Sequence, residues 1–312
     1  MNEVRILRTV KHPCIINLED VIDTPDFLFI VLELAEGGEL FEKIIERTKF
    51  NEPEAKLHFY QIASAMQYLH SKNICHRDLK PENVLLCSLD DSRPVVKITD
   101  MGMSKLVDLG TVLKTFCGTP NYLAPEVIKM AHSSFASYTV KVDCWSLGVI
   151  LYILLSGTPP FCNERQGGVP LRTQILTANY VFYPQLFNSV SEPAKDLIRK
   201  LLKVEPEERL SADEIMQHPW VQDSVVSHTA KSIMKEQMDL QARRSFLLNK
   251  PFNVLANHPT NLPTNHPTNL PAPVCSPVSV TVMKRNVPMD VDTDCGPEKK
   301  SRVEINLVPQ TD

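Results

Sequence analysis

The chain has 312 residues, 43% of them hydrophobic, and a formal net charge of −4 at pH 7. This composition suffices for one sizeable core, and the charge argues against a protein that binds nucleic acid over its whole surface. No apolar run approaches the length of a membrane-spanning helix, and no charged-then-apolar leader opens the chain. The eight cysteines have no regular spacing, which favours reduced thiols over metal ligands. We therefore expect an intracellular protein without a direct nucleic-acid or membrane partner.

The first fifty residues predict two helices and a strand pair. Apolar residues recur at helical spacing before Pro13, which ends that pattern. Two strand-like runs are separated by a turn that contains Pro25, and Gly37-Gly38 breaks the chain before the second helix. The predicted elements are a helix over 2–10, strands over 15–22 and 27–34, and a helix over 39–47.

Most of the remaining chain up to Trp220 is predicted to be helical. An almost wholly apolar run surrounds Asp143 and indicates a buried central helix. Beyond Trp220 a charged helical stretch gives way to a tandem repeat rich in proline and asparagine, a composition that cannot bury a core. The predicted helices cover 53–71, 142–155, 171–178, 191–202, 211–217 and 229–246, and the residues after about 246 are predicted to be disordered.

The stretch from His76 to Asn83 places an acid, a base and an amide at fixed offsets between two apolar runs. Asp78 can accept a proton from an attacking hydroxyl, and Lys80 is a point charge suited to a transferring phosphoryl group. Asn83 offers an oxygen to a magnesium ion, and about seventeen residues later a strand-like run ends in a second candidate metal ligand, Asp100. The pattern therefore predicts phosphoryl transfer, with two catalytic residues and two metal ligands.

Two further motifs follow in order, Gly118-Thr119-Pro120 and Ala124-Pro125-Glu126. Together with the catalytic stretch and the Asp-Met-Gly sequence at 100–102, they resemble the signature of the eukaryotic protein kinases. A single tripeptide would be weak support, whereas four motifs in the right order and spacing are strong support. The resemblance extends from residue 1 to about residue 223.

Three longer stretches narrow this resemblance. Residues 33–40, 80–86 and 143–151 are similar to the calcium/calmodulin-dependent group of serine/threonine kinases, and within it to the nuclear checkpoint kinases of the DNA-damage response. The resemblance implies an α+β, protein-kinase-like fold with a complete, mainly helical large lobe and a small-lobe remnant of one helix and two strands. The implied parts are 1–37 (small-lobe remnant and hinge), 38–223 (large lobe) and 224–312 (tail, partly helical to about 246).

The same resemblance implies a binding site for ATP and Mg²⁺. Glu3 matches the glutamate that pairs with the ATP-anchoring lysine of the small lobe. Backbone groups of Glu33 and Ala35 would hydrogen-bond adenine, and Leu85 would form the floor of the adenine site. Asp100 would bind the nucleotide through the metal ion.

Protein substrates of the form Arg-x-x-Ser/Thr are also implied. Glu39 matches the acid that contacts ribose and a substrate arginine, and Glu82 matches a second acidic contact. Thr115 lies where an activation-loop phosphothreonine would pair with Arg77, and Thr119 lies in the same loop beside the substrate site. Each threonine could instead be an ordinary loop hydroxyl. Phosphorylation of one copy by another would require a homodimer.

Other matched residues are implied to be structural. His76 is expected to be a packed core histidine rather than a base. Glu126 and Arg209 are expected to form a buried ion pair, and Asp143 is expected to hold the backbone of the catalytic stretch.

Two departures from the family pattern leave the activity open. Met101 replaces the usual phenylalanine after the metal-binding aspartate. The chain begins within the helix that carries Glu3, so no glycine-rich loop and no Val-Ala-x-Lys strand precede it. One hypothesis is a serine/threonine kinase that uses Mg-ATP; the other is a catalytically silent module that binds substrates or partners through its large lobe.

The tail carries two basic clusters, Lys284-Arg285 and Lys299-Lys300-Ser301-Arg302. Separated by a spacer, they resemble a bipartite nuclear-import signal, so a nuclear import receptor is an expected partner through 284–302 and the nucleus the expected location. Solvated charges on a loose tail explain the same residues equally well.

Overall fold

The computed structural model describes residues 2–87, 93–102, 104–106, 120–130, 139–163, 168–248, 278–284 and 301–303. The helices are α1 (Asn2–Thr9), α2 (Leu40–Arg47), α3 (Glu52–Ser71), α4 (Pro125–Met130), α5 (Lys141–Ser156), α6 (Leu171–Leu176), α7 (Pro184–Phe187), α8 (Glu192–Leu201), α9 (Ala212–Gln217) and α10 (Ser224–Leu248). The strands are β1 (Leu18–Asp23), β2 (Phe27–Glu33), β3 (Ile74–Cys75), β4 (Val84–Leu86), β5 (Val96–Ile98), β6 (Lys105–Leu106), β7 (Val278–Lys284) and β8 (Ser301–Val303). Within these ranges, no helix has the length and apolarity to cross a membrane.

Helix α5 forms the centre of the large lobe. All of its residues from Val142 to Ser156 are buried, as expected for a helix that is apolar on every side. Helices α3 and α8 pack against it. The contact with α8 is close at Gly148, where an added Cβ atom would lie 2.8 Å from the Cβ atom of Leu201. The predicted buried central helix is confirmed.

Helix α3 ends shortly before the catalytic stretch, and a capping box determines where the helix begins. The Asn51 side chain accepts a hydrogen bond from the backbone N–H of Glu54 at 2.9 Å, and the Glu54 carboxylate accepts one from the N–H of Asn51 at 3.3 Å. Pro53 lies in the first turn, where a missing N–H costs no helical hydrogen bond. The helix therefore begins one residue before the predicted 53–71 span.

The segment before β1 joins the small lobe to the large one. Ile16 donates its backbone N–H to the carbonyl of Ile98 at 2.9 Å, and Ile98 donates its own to the carbonyl of Cys14 at 2.9 Å. Because these backbone groups are committed to β5, regular pairing with β2 begins only at Leu18. The first strand is consequently shorter at its start than the predicted run from residue 15.

The small-lobe sheet has four antiparallel strands in the order β1-β2-β7-β8. The hairpin of β1 and β2 is the predicted one, but β7 and β8 come from the tail, for which disorder was predicted. That expectation is wrong for 278–284 and 301–303. A signal was present, since Val278, Val280 and Val282 recur with the period of two that is typical of a strand.

Helix α10 extends the large lobe along α3. It begins at Ser224, earlier than the predicted start at Thr229, because Asp223 caps it. The Asp223 carboxylate accepts hydrogen bonds from the backbone N–H groups of Val225 and Val226, both at 3.1 Å. The same carboxylate contacts Lys56 of α3 at 3.1 Å, so one side chain both starts the helix and fastens it.

Candidate active site

A single buried carboxylate fixes the backbone of the catalytic stretch. Asp143 of α5 accepts hydrogen bonds from the backbone N–H groups of His76 at 2.9 Å and Arg77 at 2.8 Å. His70, in the last turn of α3, contacts the same carboxylate through Nε2 at 2.8 Å. Arg77 has a positive φ of 70°, a strained conformation for a residue with a side chain, and Asp143 holds it there. This is the role that the family resemblance predicted for Asp143.

The environment of Asp143 favours its charged form. Burial alone would raise the pKa of this carboxyl group, but the hydrogen bond and electrostatic attraction from His70 act in the opposite direction. His76 and the backbone of Arg77 add to that effect, so the pKa of Asp143 lies below its ordinary value. The anchor is therefore an anion at neutral pH, the state that accepts hydrogen bonds most strongly.

His76 is a structural residue, as predicted. Its side chain is fully buried, Nε2 lies 3.0 Å from the carbonyl of Thr99, and Nδ1 lies 3.3 Å from the backbone nitrogen of Asp78. A carbonyl can only accept and an N–H can only donate, so this pattern assigns the proton to Nε2 and leaves Nδ1 as the acceptor. Both ring nitrogens are occupied, which leaves neither for proton transfer with a substrate.

Asp78 lies at the centre of the predicted catalytic group. The ammonium of Lys80 is 2.9 Å from its Oδ2, and the side-chain amide of Asn83 donates to the same oxygen at 3.2 Å and to the Asp78 carbonyl at 2.8 Å. The Lys80 and Asp78 side chains are 20% and 17% exposed, so both remain accessible from one side. The structure thus brings three of the predicted site residues together around one carboxylate.

Strand pairing places Asp100 next to this group. Strands β4 and β5 pair with Val84 opposite Ile98, and the backbone N–H of Thr99 donates to the carbonyl of Asn83 at 3.0 Å. Asp100 follows directly, with a positive φ of 59° and one carboxylate oxygen 3.2 Å from the N–H of Gly102. The two predicted metal ligands therefore leave adjacent strands at the same end.

The donor set of this end fits Mg²⁺. The Asn83 amide points its nitrogen at Asp78, which leaves its carbonyl oxygen for a cation, and Asp100 supplies a carboxylate. Mg²⁺ prefers such hard oxygen ligands and commonly takes only one or two from the protein, with the rest from water and phosphate. No cluster of three or more His, Cys, Asp or Glu side chains suited to a metal occurs in the described part of the chain.

The hinge after β2 runs beside β4. Gly37 donates its N–H to the carbonyl of Leu86 at 2.8 Å, the N–H of Leu86 donates to Gly38 at 2.9 Å, and Glu39 bridges to Leu85. The residues predicted to contact adenine are all buried and lie along this path: Glu33, Ala35 and Leu85. The structure accordingly places Glu39 beside the predicted floor of the adenine site.

The remaining predicted site residues that the structure describes are Glu3 and Glu82. Glu3 occupies the first turn of α1 and is 8% exposed. Glu82 sits in the short 3-10 turn after the catalytic stretch, and its charge, after burial, helps to raise the pKa of Tyr122. Its Oε2 atom is buried and has no hydrogen-bond partner within the described residues. The predicted phosphorylation sites Thr115 and Thr119 lie outside the residues that the structure describes.

Sequence reasoning identified the buried ion pair of the large lobe but missed a second one. Arg209 contacts Glu126 through two nitrogen–oxygen pairs at 2.8 and 3.1 Å, as predicted. Lys97 of β5, which was not singled out, contacts the carboxylate of Glu33 at 2.7 Å. The available signal was a lysine inside an otherwise apolar strand-like run, a position at which a charge requires a partner.

Comparison with known proteins agrees with this geometry. Residues 1–221 match the protein kinase domain family. The chain is 43% identical over 235 residues to the ovarian-specific serine/threonine-protein kinase Lok of Drosophila melanogaster, covering 75% of this chain and 48% of that protein. It is 44% identical over 250 residues to myosin light chain kinase A of Dictyostelium discoideum, covering 79% of this chain and 82% of that protein. A third relative, the probable serine/threonine-protein kinase fhkE of Dictyostelium discoideum, is 45% identical over 226 residues, which are 72% of this chain and 31% of that protein.

The fold, the site and these matches define a eukaryotic protein kinase. The chain belongs to the protein kinase family, and the relatives above are serine/threonine kinases. The predicted protein-kinase-like fold with a mainly helical large lobe is confirmed. The chain spans about half of Lok and about a third of fhkE.

Proposed function

We propose that this chain transfers the γ-phosphate of Mg-ATP to serine or threonine in Arg-x-x-Ser/Thr contexts of protein substrates. The observation that carries the proposal is the group around Asp78, where Lys80 and Asn83 converge on one carboxylate at 2.9 and 3.2 Å. The backbone that presents this group is fixed to the central helix by Asp143. A positioned base beside a positioned cation is the arrangement that phosphoryl transfer requires.

Each member of the group has a defined task. Asp78 accepts a hydrogen bond from the substrate hydroxyl, orients it and takes its proton. Lys80 places a positive charge beside the position at which the phosphoryl group transfers. Asn83 and Asp100 hold Mg²⁺, and bound Mg-ATP supplies the phosphoryl group with its charge partly neutralised.

Substrate selection is assigned to two acidic side chains. The buried Oε2 of Glu82 has no hydrogen-bond donor in the described part of the chain, and a substrate guanidinium would supply one. Glu39, beside Leu85, provides the second carboxylate. We expect Glu82→Gln to raise the KM for an Arg-x-x-Ser peptide about tenfold or more, and to leave the KM for a peptide without that arginine unchanged.

Within the family, we propose that the chain acts in DNA-damage checkpoint signalling and that it is nearest to checkpoint kinase 2. Support comes from residues 33–40, 80–86 and 143–151, which resemble that branch of the calcium/calmodulin-dependent group. A nuclear location, import through 284–302 and a homodimer that phosphorylates Thr115 belong to the same proposal. Reduced nuclear accumulation of a fluorescent fusion after Lys299→Ala/Lys300→Ala substitution would support the location, and unchanged accumulation would refute it.

The second candidate function is a silent binding module. It is favoured by the lysine content of the four-stranded sheet, where Lys284 is the only lysine among the described strand residues. It lies opposite Phe27, six positions from Glu33, which corresponds to roughly 20 Å along a strand. Lys97, which does reach the hinge, is already committed to Glu33. A lysine that could orient the nucleotide phosphates is therefore not provided by this sheet.

One experiment separates the two candidates. Purified chain is incubated with Mg-ATP and an Arg-x-x-Ser peptide beside an Asp78→Asn variant, with circular dichroism to show that both are folded. Transfer that falls by about a hundredfold or more in the variant supports the kinase, because general-base catalysis contributes about that much. If the chain is folded and transfers phosphate no faster than the Asp78→Asn variant, the result supports the binding module.

A further inference from the structure

Strand β2 is flanked on both sides, and the tail provides one of its neighbours. Its pairing with β7 is continuous over seven residue pairs, from Phe27 opposite Lys284 to Glu33 opposite Val278. Strand β8 continues the sheet on the far side of β7, with Thr281 opposite Arg302. The kinase domain and residues 278–284 and 301–303 of the tail therefore share one sheet.

The sequence of β7 suits this position. Four of its seven residues are β-branched, at 278, 280, 281 and 282. Such residues favour extended backbone, and each cross-strand pair adds roughly 0.2–1 kcal/mol. Without β7, the far edge of β2 would present a row of unpaired N–H and carbonyl groups, which proteins generally cover or block. Strand β7 thus provides hydrogen-bond partners for the edge of β2.

The same pairing involves one basic residue of each cluster in the tail, Lys284 and Arg302. Lys284 is the last residue of β7, and Ser301 and Arg302 begin β8. A receptor that binds a basic segment as an extended peptide must reach the backbone groups of that segment and the side chains on both of its faces. A segment whose backbone is already paired within a sheet cannot meet that requirement.

We propose that the edge of β2 is an intramolecular binding site for residues 278–284, and that occupation of this site withholds Lys284 and, through β8, Arg302 from a receptor that binds the basic clusters as an extended peptide. The docking of residues 278–284 on β2 is argued from the strand register. The masking of the basic residues rests in addition on the import signal proposed above. Release of the strand would expose the edge of β2 and the backbone at Lys284 and Arg302 together.

Hydrogen exchange of the whole chain tests the docked strand. Thr281 lies in the middle of β7, opposite Ile30 of β2 and Arg302 of β8. The N–H of Glu33 donates to Asn17 on the β1 side, so by strand alternation the amides of Leu28, Ile30 and Leu32 face β7, and the N–H of Thr281 faces β2. Thr281→Pro removes that N–H from a central strand, whereas Thr281→Val keeps the N–H and the β-branched shape. We expect the amides of Leu28, Ile30 and Leu32 to exchange at least tenfold faster in the proline variant and at the wild-type rate in the valine variant. Equal protection in all three proteins would overturn the docking. Protection that depends on protein concentration would show exchange of strands between copies and would overturn the intramolecular site.

Binding of a purified nuclear import adaptor tests the masking. A peptide of residues 278–303 provides the affinity of the unmasked signal, and we expect Thr281→Pro to approach it while the wild type and Thr281→Val bind at least fivefold more weakly. Equal affinity for wild type and Thr281→Pro would overturn the masking even if exchange shows a docked strand. A peptide that does not bind would refute the import signal and the masking that rests on it, and the exchange experiment would still decide the docking.

Discussion

The ammonium of Lys97 lies 2.7 Å from Oε1 of Glu33, and the two side chains are only 1% and 7% exposed. The same oxygen accepts a hydrogen bond from the backbone of Asn17 at 2.8 Å. Glu33 ends β2 at the hinge, while Lys97 is the middle residue of β5, three positions before Asp100. This pair therefore fastens the predicted adenine-contacting segment to the strand that delivers a predicted metal ligand.

Removal of Lys97 should destabilise the fold strongly. Lys97→Met leaves the Glu33 carboxylate buried without its cation, and breaking a buried pair in this way costs about 3–5 kcal/mol. The measurement is the free energy of unfolding from urea denaturation. Arg93→Ala is the matched control, because the Arg93–Glu236 pair is 52% and 57% exposed and should contribute less than about 1 kcal/mol. A Lys97→Met protein as stable as the Arg93→Ala protein would refute the role of the buried pair.

Stability should fall in acid through Asp143. Its pKa is lower in the folded chain than the ordinary value, so the unfolded chain binds the additional proton. The contribution of this group is complete above the unfolded pKa of about 3.9 and is lost as the pH drops through the folded value. We expect the melting temperature to decrease less steeply between pH 5 and pH 3 in His70→Gln, which keeps a hydrogen-bond donor but removes the histidine charge. Asp213→Asn, on the exposed start of α9, is the control. An unchanged slope in His70→Gln would contradict the assignment.

Glu52 should be essential to the junction between α3, α8 and the segment that carries Trp220. Its carboxylate accepts a hydrogen bond from Trp220 Nε1 at 2.7 Å and from the backbone of Ser191 at 2.8 Å. Burial alone would raise the pKa of Glu52, but hydrogen bonds from the side chain and backbone of Ser191 and from Trp220, together with the charge of Lys56, outweigh it and lower the pKa. Glu52→Ala removes the acceptor of these three hydrogen bonds, and we expect a loss of about 2–3 kcal/mol in urea denaturation. Glu192→Ala, at a side chain that is 67% exposed, should lose less than about 1 kcal/mol, and equal losses would count against the junction.

The described thiols should differ in reactivity. Burial raises the pKa of Cys14 and of Cys144 to about 12, and it also raises the pKa of Cys75, whereas Cys87 and Cys162 are partly exposed. The thiolate is the reactive form, so iodoacetamide at pH 8 should label Cys87 and Cys162 before Cys14, Cys75 and Cys144 in the native protein. Peptide mass spectrometry gives the order, and a urea-unfolded sample is the control in which the difference should vanish. Early native labelling of Cys14 would contradict the burial of its side chain.

The site residues that were predictable are those fixed by local spacing. Asp78, Lys80 and Asn83 lie within six positions of one another, and the backbone between two short strands suffices to bring them together. The backbone groups that Asp143 holds were predictable only through the family resemblance, because Arg77 and His76 lie 66 and 67 positions before it.

Two long-range pairings were not predicted, the Lys97–Glu33 ion pair and the pairing of β7 with β2. Lys97 and Glu33 belong to different sheets, and neither run of sequence identifies the other. The β7 strand has a clear local pattern, but its stability depends on an edge formed about 250 positions earlier, and a single sequence does not specify such a partner.

The strand order β1-β2-β7-β8 also determines when, during synthesis, the small-lobe sheet can be completed. Ile30 pairs with Thr281, so the ribosome must add about 250 residues after β2 before β7 exists. At roughly 5–20 residues per second, β2 waits about 12 to 50 s with its far edge uncovered, while the helices of the large lobe can already pack. The nascent chain is consequently most prone to intermolecular strand pairing during elongation, and slower translation would lengthen that interval.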